Sequence, residues 1–332
     1  MKSKPESRSG IESERRGSGN VPGIIAAVVI ASVGPVFLST YYIHLASLVF
    51  IYIMATSSLR IVYVSGQSSL GHAAFMAIGA YTSAMLAKHL GWNPWCTMPL
   101  GAITAMVCGI LIGFPFSRLR AIYFSMASLF FGIMVTNMVG LAPELTGSWT
   151  GLARIPRLFG YSRIPYYYTI LILTLITLLV LYRIENSRLG MTLKSVAQSH
   201  LAASSKGINE AGIRILALGI GAFFAGLAGG AYAHYAGLIS PATFGVMPSI
   251  LLYVYLLAGG KRSFAGPIVG TGVLYLVPYI MGDFKGYAPY FQAGVIVAVT
   301  FLVPDGMTSL FGRAASRIRE VRKRLEASRY AS

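Results

Sequence analysis

Charge is scarce in this chain, and acidic charge is scarcer still. Only 11% of the 332 residues are charged, and 10 Asp and Glu stand against 27 Lys and Arg, a formal net charge of +17. Soluble domains devote about a quarter of their residues to charge, so the composition excludes an ordinary soluble domain. With 55% hydrophobic residues and a mean hydropathy of +0.66, the chain is typical of a polytopic membrane protein.

Residues with reactive side chains are few and scattered. The two cysteines, Cys96 and Cys108, form neither a disulfide framework nor a CxxC pair. His44, His72 and His234 lie within or near apolar segments and lack the spacing of metal ligands. The sequence contains no nucleophile elbow, H-E-x-x-H motif or catalytic acid–base set. We therefore expect no catalytic residue, no metal, no cofactor and no enzymatic activity in this chain.

Acids are also missing from the interior of the apolar segments. Glu144, Asp283 and Asp305 all fall at segment ends. An ion-driven carrier usually places an acid within the membrane, where a charge costs about 2.5–3.5 kcal/mol on insertion scales and therefore has a functional reason. The absence favours energy supplied from outside the bilayer, and an ATPase-independent secondary carrier stays open as the alternative.

Ten apolar segments approach the roughly 20 residues that a helix needs to cross a membrane. They are approximately 21–39, 41–59, 69–88, 95–116, 121–142, 165–184, 211–236, 246–259, 264–282 and 288–304. The eighth is short, which predicts a half-helix or an interrupted span, and a tight turn separates the first two. The sequence predicts an all-α polytopic membrane protein with about 8–10 transmembrane helices.

Basic residues are concentrated on one side of these segments. With ten crossings and the N-terminus inside, 22 of the 27 Lys and Arg lie on the cytoplasmic side, as the positive-inside rule requires. We expect residues 1–20 to form a disordered cytoplasmic tail, 21–304 a transmembrane domain, and 305–332 a basic amphipathic tail on membrane lipid. Both termini are predicted to be cytoplasmic. Because the basic residues lie in loops and tails, we expect no nucleic-acid partner.

One long polar segment, 185–208, lies between two strongly apolar ones. Within it apolar residues recur at intervals of three and four: Leu189, Leu193, Val196, Ala197 and Leu201. This pattern predicts a short amphipathic helix outside the bilayer. A rigid apolar stripe of this kind is expected to fit a groove on a partner protein.

A second segment, GQSSLGHAAFMAIGAY at 66–81, is rich in small residues that let helix backbones approach closely. A break in such a helix would expose backbone amides and carbonyls that can bind a zwitterion. For Gln67, Ser69 and His72, packing or capping and lining of a pathway are both open. The candidate substrate-pathway residues are Gln67, Ser69, Gly71, His72 and Tyr81.

The run R-L-G-x-x-L-K-x-V-x-x-x-x-x-A-A-x-x-x-G-I at 188–208 resembles the cytoplasmic coupling loop of ABC-importer permeases for branched-chain amino acids. The segment 66–81, the stretch 237–270 and the ending 301–312 agree, so the chain resembles the LivM-type subunit of that family from about residue 57 onward. The resemblance assigns ATPase coupling to Arg188, Leu189, Gly190, Leu193, Lys194, Val196, Ala197, Ala202, Ala203 and Gly207.

The resemblance implies a permease subunit that forms the pathway for branched-chain or other hydrophobic amino acids. It implies a second homologous permease as a heterodimer partner, two cytoplasmic ABC ATPase subunits and an extracytoplasmic substrate-binding protein. The outer loop TGSWTGL at 146–152 resembles the family's T-G-x-x-G-L stretch, which faces the arriving substrate. Similar permeases serve urea, short amides and aromatic acids, so these substrates stay open.

Overall fold

The structure is a computed structural model of the whole chain. It describes residues 39–119, 121–160, 162–198, 208–261 and 263–280, together with Pro35 and a few positions between 287 and 308. The predicted N-tail, the apolar segments at 21–39 and 288–304, and the C-tail at 305–332 lie wholly or mostly outside the described residues.

The described residues form ten α-helices and one two-stranded ribbon. The helices are α1 Thr40–Val64, α2 His72–His89, α3 Pro94–Phe116, α4 Ala121–Gly140, α5 Pro143–Thr146, α6 Arg163–Glu185, α7 Arg188–Gln198, α8 Glu210–Ala236, α9 Val246–Gly260 and α10 Gly266–Ile280. The strands are β1 Leu152–Ala153 and β2 Leu238–Ile239. Single 3-10 turns lie at Ser148–Thr150 and Pro241–Phe244.

Six of the described helices are long and apolar enough to cross a membrane, namely α1, α3, α4, α6, α8 and α9 with the 3-10 turn before it. This confirms the prediction of an all-α polytopic membrane protein. The eighth apolar segment forms α9, a helix of 15 residues that begins after that turn, in agreement with the predicted short helix. The ninth segment forms α10, an apolar helix also of 15 residues.

Helix α8 packs against α1, α2 and α3 and forms the centre of the bundle. A side chain added at Gly79 of α2 would overlap the backbone of Gly226 in α8, and one added at Gly101 of α3 would overlap the carbonyl oxygen of Gly79. These three glycines therefore bring α2, α3 and α8 into backbone-to-backbone contact, which we call the glycine crossing. Small residues at such positions are the usual means of close helix packing in membranes.

The two ends of the bundle differ in structure. At one end, β1 and β2 pair antiparallel, with Leu152 opposite Ile239, and α5 and both 3-10 turns lie beside them; we call this the ribbon end. At the other end α7 packs against α1, α6 and α8; we call this the α7 end. Helices α9 and α10 pack against each other and against α1, so they join the bundle on the side of α1.

Candidate functional site

The predicted amphipathic helix is present as α7, and only Asn186 and Ser187 separate it from α6. Its apolar side chains Leu193 and Val196 are completely buried, and Leu193 belongs to an apolar cluster with Ile61 of α1 and Leu181 of α6. The helix is therefore anchored on the bundle by its own stripe.

The tight turn into α7 depends on a glycine. A side chain added at Gly190 would overlap the carbonyl oxygen of Glu185, so only glycine lets the first turn of α7 approach the end of α6 this closely. This explains why a glycine stands inside a helix that otherwise follows the amphipathic pattern.

The expectation that the stripe fits a partner's groove needs correction, because the structure packs the stripe against the bundle. An amphipathic helix lying beside its own bundle buries its apolar face on the nearest apolar surface. The face open to a partner is the opposite one, and it carries Arg188, Met191, Lys194, Ser195 and Gln198. We call this the outer face of α7.

Of the ten predicted coupling residues, the structure describes seven. Gly190, Leu193 and Val196 are buried, Leu189 is partly buried, and Arg188, Lys194 and Ala197 are exposed. Ala202, Ala203 and Gly207 lie outside the described residues. The last turn of α7 approaches the chain just after α1, since a side chain added at Gly66 would lie 3.2 Å from the Cα atom of Ala197.

A buried ion pair lies directly beneath α7. The guanidinium of Arg60, in α1, donates from Nε to Oε2 of Glu185 at 2.8 Å and from Nη2 to Oε1 at 2.8 Å. Its Nη1 donates to the carbonyl oxygen of Lys261 at 3.0 Å, immediately after α9. Arg60 is 2% exposed and Glu185 is 5% exposed. Lys194 of α7 contacts the same carboxylate, with Nζ 3.6 Å from Oε1.

Sequence reasoning missed this pair. It placed Arg60 in a loop after the segment 41–59 and Glu185 at the start of the polar segment, whereas both residues lie within helices. The available signal was the apolar run Ile61–Val64, which continues past Arg60 and shows that the helix does not end there. An arginine within an apolar helix is expected to point into the bundle, where it pairs with a carboxylate or a backbone carbonyl.

Between α1 and α2 the chain leaves the helical conformation over residues 65–71, which we call the break segment. Its second residue is Gly66, whose φ of +85° is in the left-handed region that favours glycine. Neighbouring helices hold the segment: Ser125 of α4 donates to the carbonyl oxygen of Ser68 at 2.7 Å, and Tyr253 of α9 donates to the Ser68 hydroxyl at 3.1 Å. The connection between α1 and α2 is therefore non-helical and polar.

Serine hydroxyls also accept hydrogen bonds from backbone amides around the start of α2. The N–H of Leu70 donates to Ser128 Oγ of α4, and the N–H of Ala73 donates to Ser249 Oγ of α9, both at 3.0 Å. These amides lie at a helix N-terminus, where intrahelical acceptors are missing. Two helices from different parts of the chain thus supply the acceptors that the break requires.

Two side-chain atoms beside the break segment are buried and have no hydrogen-bond partner among the described residues, Ser69 Oγ and His72 Nδ1. The other ring nitrogen of His72 is hydrogen-bonded to Ser58 Oγ at 2.9 Å. A buried polar atom without a partner costs stability, so these two atoms are candidates for contact with a ligand.

The structure brings four of the five pathway candidates together. Gln67, Ser69, Gly71 and His72 lie in or beside the break segment, and all are buried. Tyr81 lies about two and a half turns further along α2, where its ring packs edge-on against Phe244 near the ribbon end. It is therefore separate from the other four.

The ribbon end carries the TGSWTGL stretch as a compact turn structure. Gly147 and Gly151 both have positive φ, +74° and +91°, and a side chain added at Gly151 would overlap the carbonyl oxygen of Ile239 in β2. The Thr146 hydroxyl donates to the carbonyl oxygen of Val139 at 2.6 Å. The stretch is thus folded onto the ends of α4 and α8 and presents Trp149, which is 56% exposed.

His234 ties three parts of the chain together at the ribbon end. Its Nε2 lies 2.8 Å from the Ser83 hydroxyl of α2, and its Nδ1 lies 2.8 Å from the carbonyl oxygen of Pro156. The Tyr166 hydroxyl donates to the carbonyl oxygen of His234 at 3.1 Å. With both ring nitrogens engaged, this fully buried histidine has a structural role.

A bundle of apolar helices with a polar break inside it and an amphipathic helix anchored outside one end is the architecture of a membrane permease. Residues 41–304 match the family described as branched-chain amino acid transport system / permease component. The match covers more than half of the chain, and the chain belongs to this family.

Individual relatives agree with the family match. The chain is 30% identical over 313 residues to the high-affinity branched-chain amino acid transport system permease protein LivM of Escherichia coli K12 and to that of Salmonella typhimurium LT2. Each alignment covers 86% of this chain and 74% of the relative. The guanosine ABC transporter permease protein NupQ of Bacillus subtilis is 26% identical over 190 residues, which cover 51% of this chain and 59% of NupQ. No solved structure shows a significant match.

The chain is therefore a permease subunit of an ABC importer and a multi-pass inner-membrane protein. Permeases of this family are transport subunits and work with ATPase and binding-protein partners. The family predicted from the coupling loop is confirmed, while the roles of the individual site residues remain predictions.

Proposed function

We propose that this chain forms the substrate pathway of an importer for branched-chain amino acids, and that the outer face of α7 receives the ATPase. The similarity to two LivM proteins over 86% of the chain supports the substrate class. The observation that carries the coupling role is the seating of α7: its apolar stripe is buried on the bundle and its polar face is open.

The partners follow from this arrangement. The described residues offer one α7, which suits one ATPase, so an importer with two ATPases needs a second homologous permease that supplies the other coupling helix. The excess of basic residues supports a cytoplasmic location for the α7 end and for both termini. The ribbon end then faces outward, and its TGSWTGL turn is the surface on which a substrate-binding protein docks.

Buried and exposed residues of α7 have different parts in this proposal. Leu193 and Val196, with Gly190, fix the helix on the bundle, whereas Arg188, Met191 and Lys194 contact the ATPase. Ala202, Ala203 and Gly207 continue the same coupling loop toward α8. A movement imposed on the outer face is transmitted to the bundle because the anchor is buried.

The break segment is the proposed constriction of the pathway. In this structure the amides of Leu70 and Ala73, at and just after its end, donate to the hydroxyls of Ser128 and Ser249, and a substrate carboxylate can replace these acceptors at the positive end of α2. The unpaired atoms of Ser69 and His72 provide further polar contacts. Separation of α9 from α4 opens this site, and Gln67 and Gly71 lie on the same segment. Tyr81 lines the route nearer the ribbon end.

The docking proposal is tested by two matched charge reversals in exposed positions at opposite ends of the bundle. Tagged wild type, Arg188→Glu and Lys88→Glu are purified from membranes that also contain the ATPases and the second permease. We expect Arg188→Glu to reduce recovery of the ATPase at least tenfold, while Lys88→Glu leaves it unchanged. Equal recovery with both variants would contradict docking on the outer face of α7.

The transport proposal is tested with the purified complex in liposomes. ATP and a liganded binding protein are expected to drive uptake of leucine, isoleucine and valine, with ATP hydrolysis stimulated by the same ligands. Urea, a short amide, an aromatic acid and guanosine are assayed in parallel. Preferential uptake of one of these would contradict branched-chain amino acids as the substrate class. Uptake by the chain alone, driven by an ion gradient, would refute the importer mechanism.

A further inference from the structure

We propose that the Arg60–Glu185 ion pair is the mechanical link between the coupling helix and the pathway. Through it the ends of α1 and α6, the N-terminus of α7 and the end of α9 move as one body. The inference rests on the proposed docking of an ATPase on α7, because that contact supplies the movement to be transmitted. Arg60 and Glu185 are then positioning residues for transport.

The geometry of the pair fixes three helix ends at once. Glu185 is the last residue of α6 and lies three positions before Arg188, where α7 begins. Arg60 binds both oxygens of this carboxylate and, with its remaining terminal nitrogen, the carbonyl oxygen of Lys261. A planar guanidinium bound in this bidentate way defines direction as well as distance.

Burial makes the pair resistant to separation. Arg60 and Glu185 are almost fully shielded from water, and a charge left alone in such a place is strongly unfavourable. The other contacts at the α7 end are mainly apolar, as in the cluster of Leu193 with Ile61 and Leu181. Apolar contacts hold these helices together but are non-directional, so the directed hydrogen bonds of the ion pair define their relative orientation.

Two further contacts join the helix ends linked by the ion pair to other parts of the bundle, one to the proposed constriction and one to α10. The last turn of α7 lies against Gly66, at the start of the break segment, through Ala197. At the end of α9, a side chain added at Gly259 would overlap the carbonyl oxygen of Gly266 in α10. A displacement of α7 therefore reaches the break segment directly, through Ala197 and Gly66, and reaches α10 through α9.

A mechanical link and a purely structural ion pair respond differently to the removal of both charges. The double variant Arg60→Met with Glu185→Leu replaces the two charged side chains by apolar ones of similar volume. Because neither charge is left buried without its partner, the variant is expected to fold. Its complex should retain ATPase within twofold of wild type and should hydrolyse ATP, but uptake per ATP should fall at least tenfold. Unchanged uptake per ATP in the double variant would overturn the proposal.

A distance measurement observes the link directly. Spin labels are attached at Asn186→Cys between α6 and α7 and at Lys261→Cys after α9, both exposed positions outside the outer face of α7, with Cys96 and Cys108 replaced by Ser. The Lys261 change leaves the backbone carbonyl that Arg60 uses. In the otherwise wild-type complex the distance should stay constant between the nucleotide-free and ATP-bound states, whereas in the double variant ATP should change it. An equal change in both would overturn the proposal.

The control is Arg183→Gln, which removes an exposed charge of α6 at the same end and leaves both the buried pair and the outer face of α7 unchanged. It should keep uptake per ATP within twofold of wild type; a loss equal to that of the double variant would overturn the assignment to Arg60. If the wild-type chain recovers no ATPase at all, the proposed function fails, and the inference fails with it. Recovery of ATPase with normal uptake in the double variant refutes the inference alone.

Discussion

The glycine crossing at the centre of the bundle and the ion pair at the α7 end hold helices together in different ways. At the crossing, Gly79, Gly101 and Gly226 bring three backbones into contact with no charge involved. At the α7 end, Arg60 and Glu185 join helix ends through three directed hydrogen bonds. Contact of backbones fixes the crossing by shape, whereas the ion pair fixes the helix ends by charge and by the direction of its hydrogen bonds.

This difference suggests a division of labour within the permease. Close-packed interiors are rigid and transmit displacement, so the glycine crossing suits a fixed frame formed by α2, α3 and α8. The α7 end carries the polar groups and the short helix that faces a partner, and it suits a moving part. Three substitutions test the comparison by breaking each attachment separately.

The largest effect is expected for Arg60→Gln, which leaves the carboxylate of Glu185 buried without its bidentate partner. The exposed Lys194, with Nζ 3.6 Å from Oε1, then remains beside it. Removing one partner of a buried ion pair costs about 3–5 kcal/mol in the free energy of unfolding. Unfolding of the purified protein in mixed micelles, followed by circular dichroism, measures this loss. The double variant Arg60→Met with Glu185→Leu should regain most of it. A single variant as stable as wild type would show that the pair is not desolvated.

A smaller loss is expected for Gly79→Ala at the glycine crossing. The added methyl group overlaps the backbone of Gly226, and overpacking of this kind costs about 1–3 kcal/mol. The matched control is Gly272→Ala in α10, where an added side chain would meet no atom of the described residues within 4 Å. Because alanine favours a helix over glycine by up to about 1 kcal/mol, the control should be neutral or stabilising. Equal stability of the two variants in the same unfolding assay would contradict the crossing as a close contact.

The sequence was sufficient for features that depend on local pattern. Apolar runs near the length of a membrane span gave α1, α3, α4, α6 and α8, and the three-and-four spacing of apolar residues gave α7. The break after Gly66 could be expected from the cluster of glycine and serine that comes after the second apolar segment. These signals lie within about twenty residues, where backbone hydrogen bonding and burial act together.

Features that depend on distant parts of the chain could not be read from one sequence. Arg60 and Glu185 are 125 positions apart, and nothing local pairs them. The direction of the α7 stripe depends on Ile61 and Leu181 being apolar at the place where α7 lies, so the same pattern suited either a partner or the bundle. The serines that hold the break segment come from α4 and α9, and their pairing emerges only from helix packing.

The smallest effect is expected for Lys194→Gln, which separates the exposed contact of the α7 end from the buried one. The Lys194 side chain is 47% exposed and its Nζ lies 3.6 Å from Glu185 Oε1, so water and salt screen the attraction and it should contribute under about 1 kcal/mol.

The unfolding assay is repeated at low and high salt, with Lys88→Gln at the ribbon end as control. The difference between Lys194→Gln and wild type should shrink as salt rises, whereas the destabilisation by Arg60→Gln should persist, because its charges are shielded from ions as well as from water. A loss from Lys194→Gln as large as that from Arg60→Gln would mean that α7 is held by charge at its surface, and the buried pair would no longer explain how this end of the bundle differs from its centre.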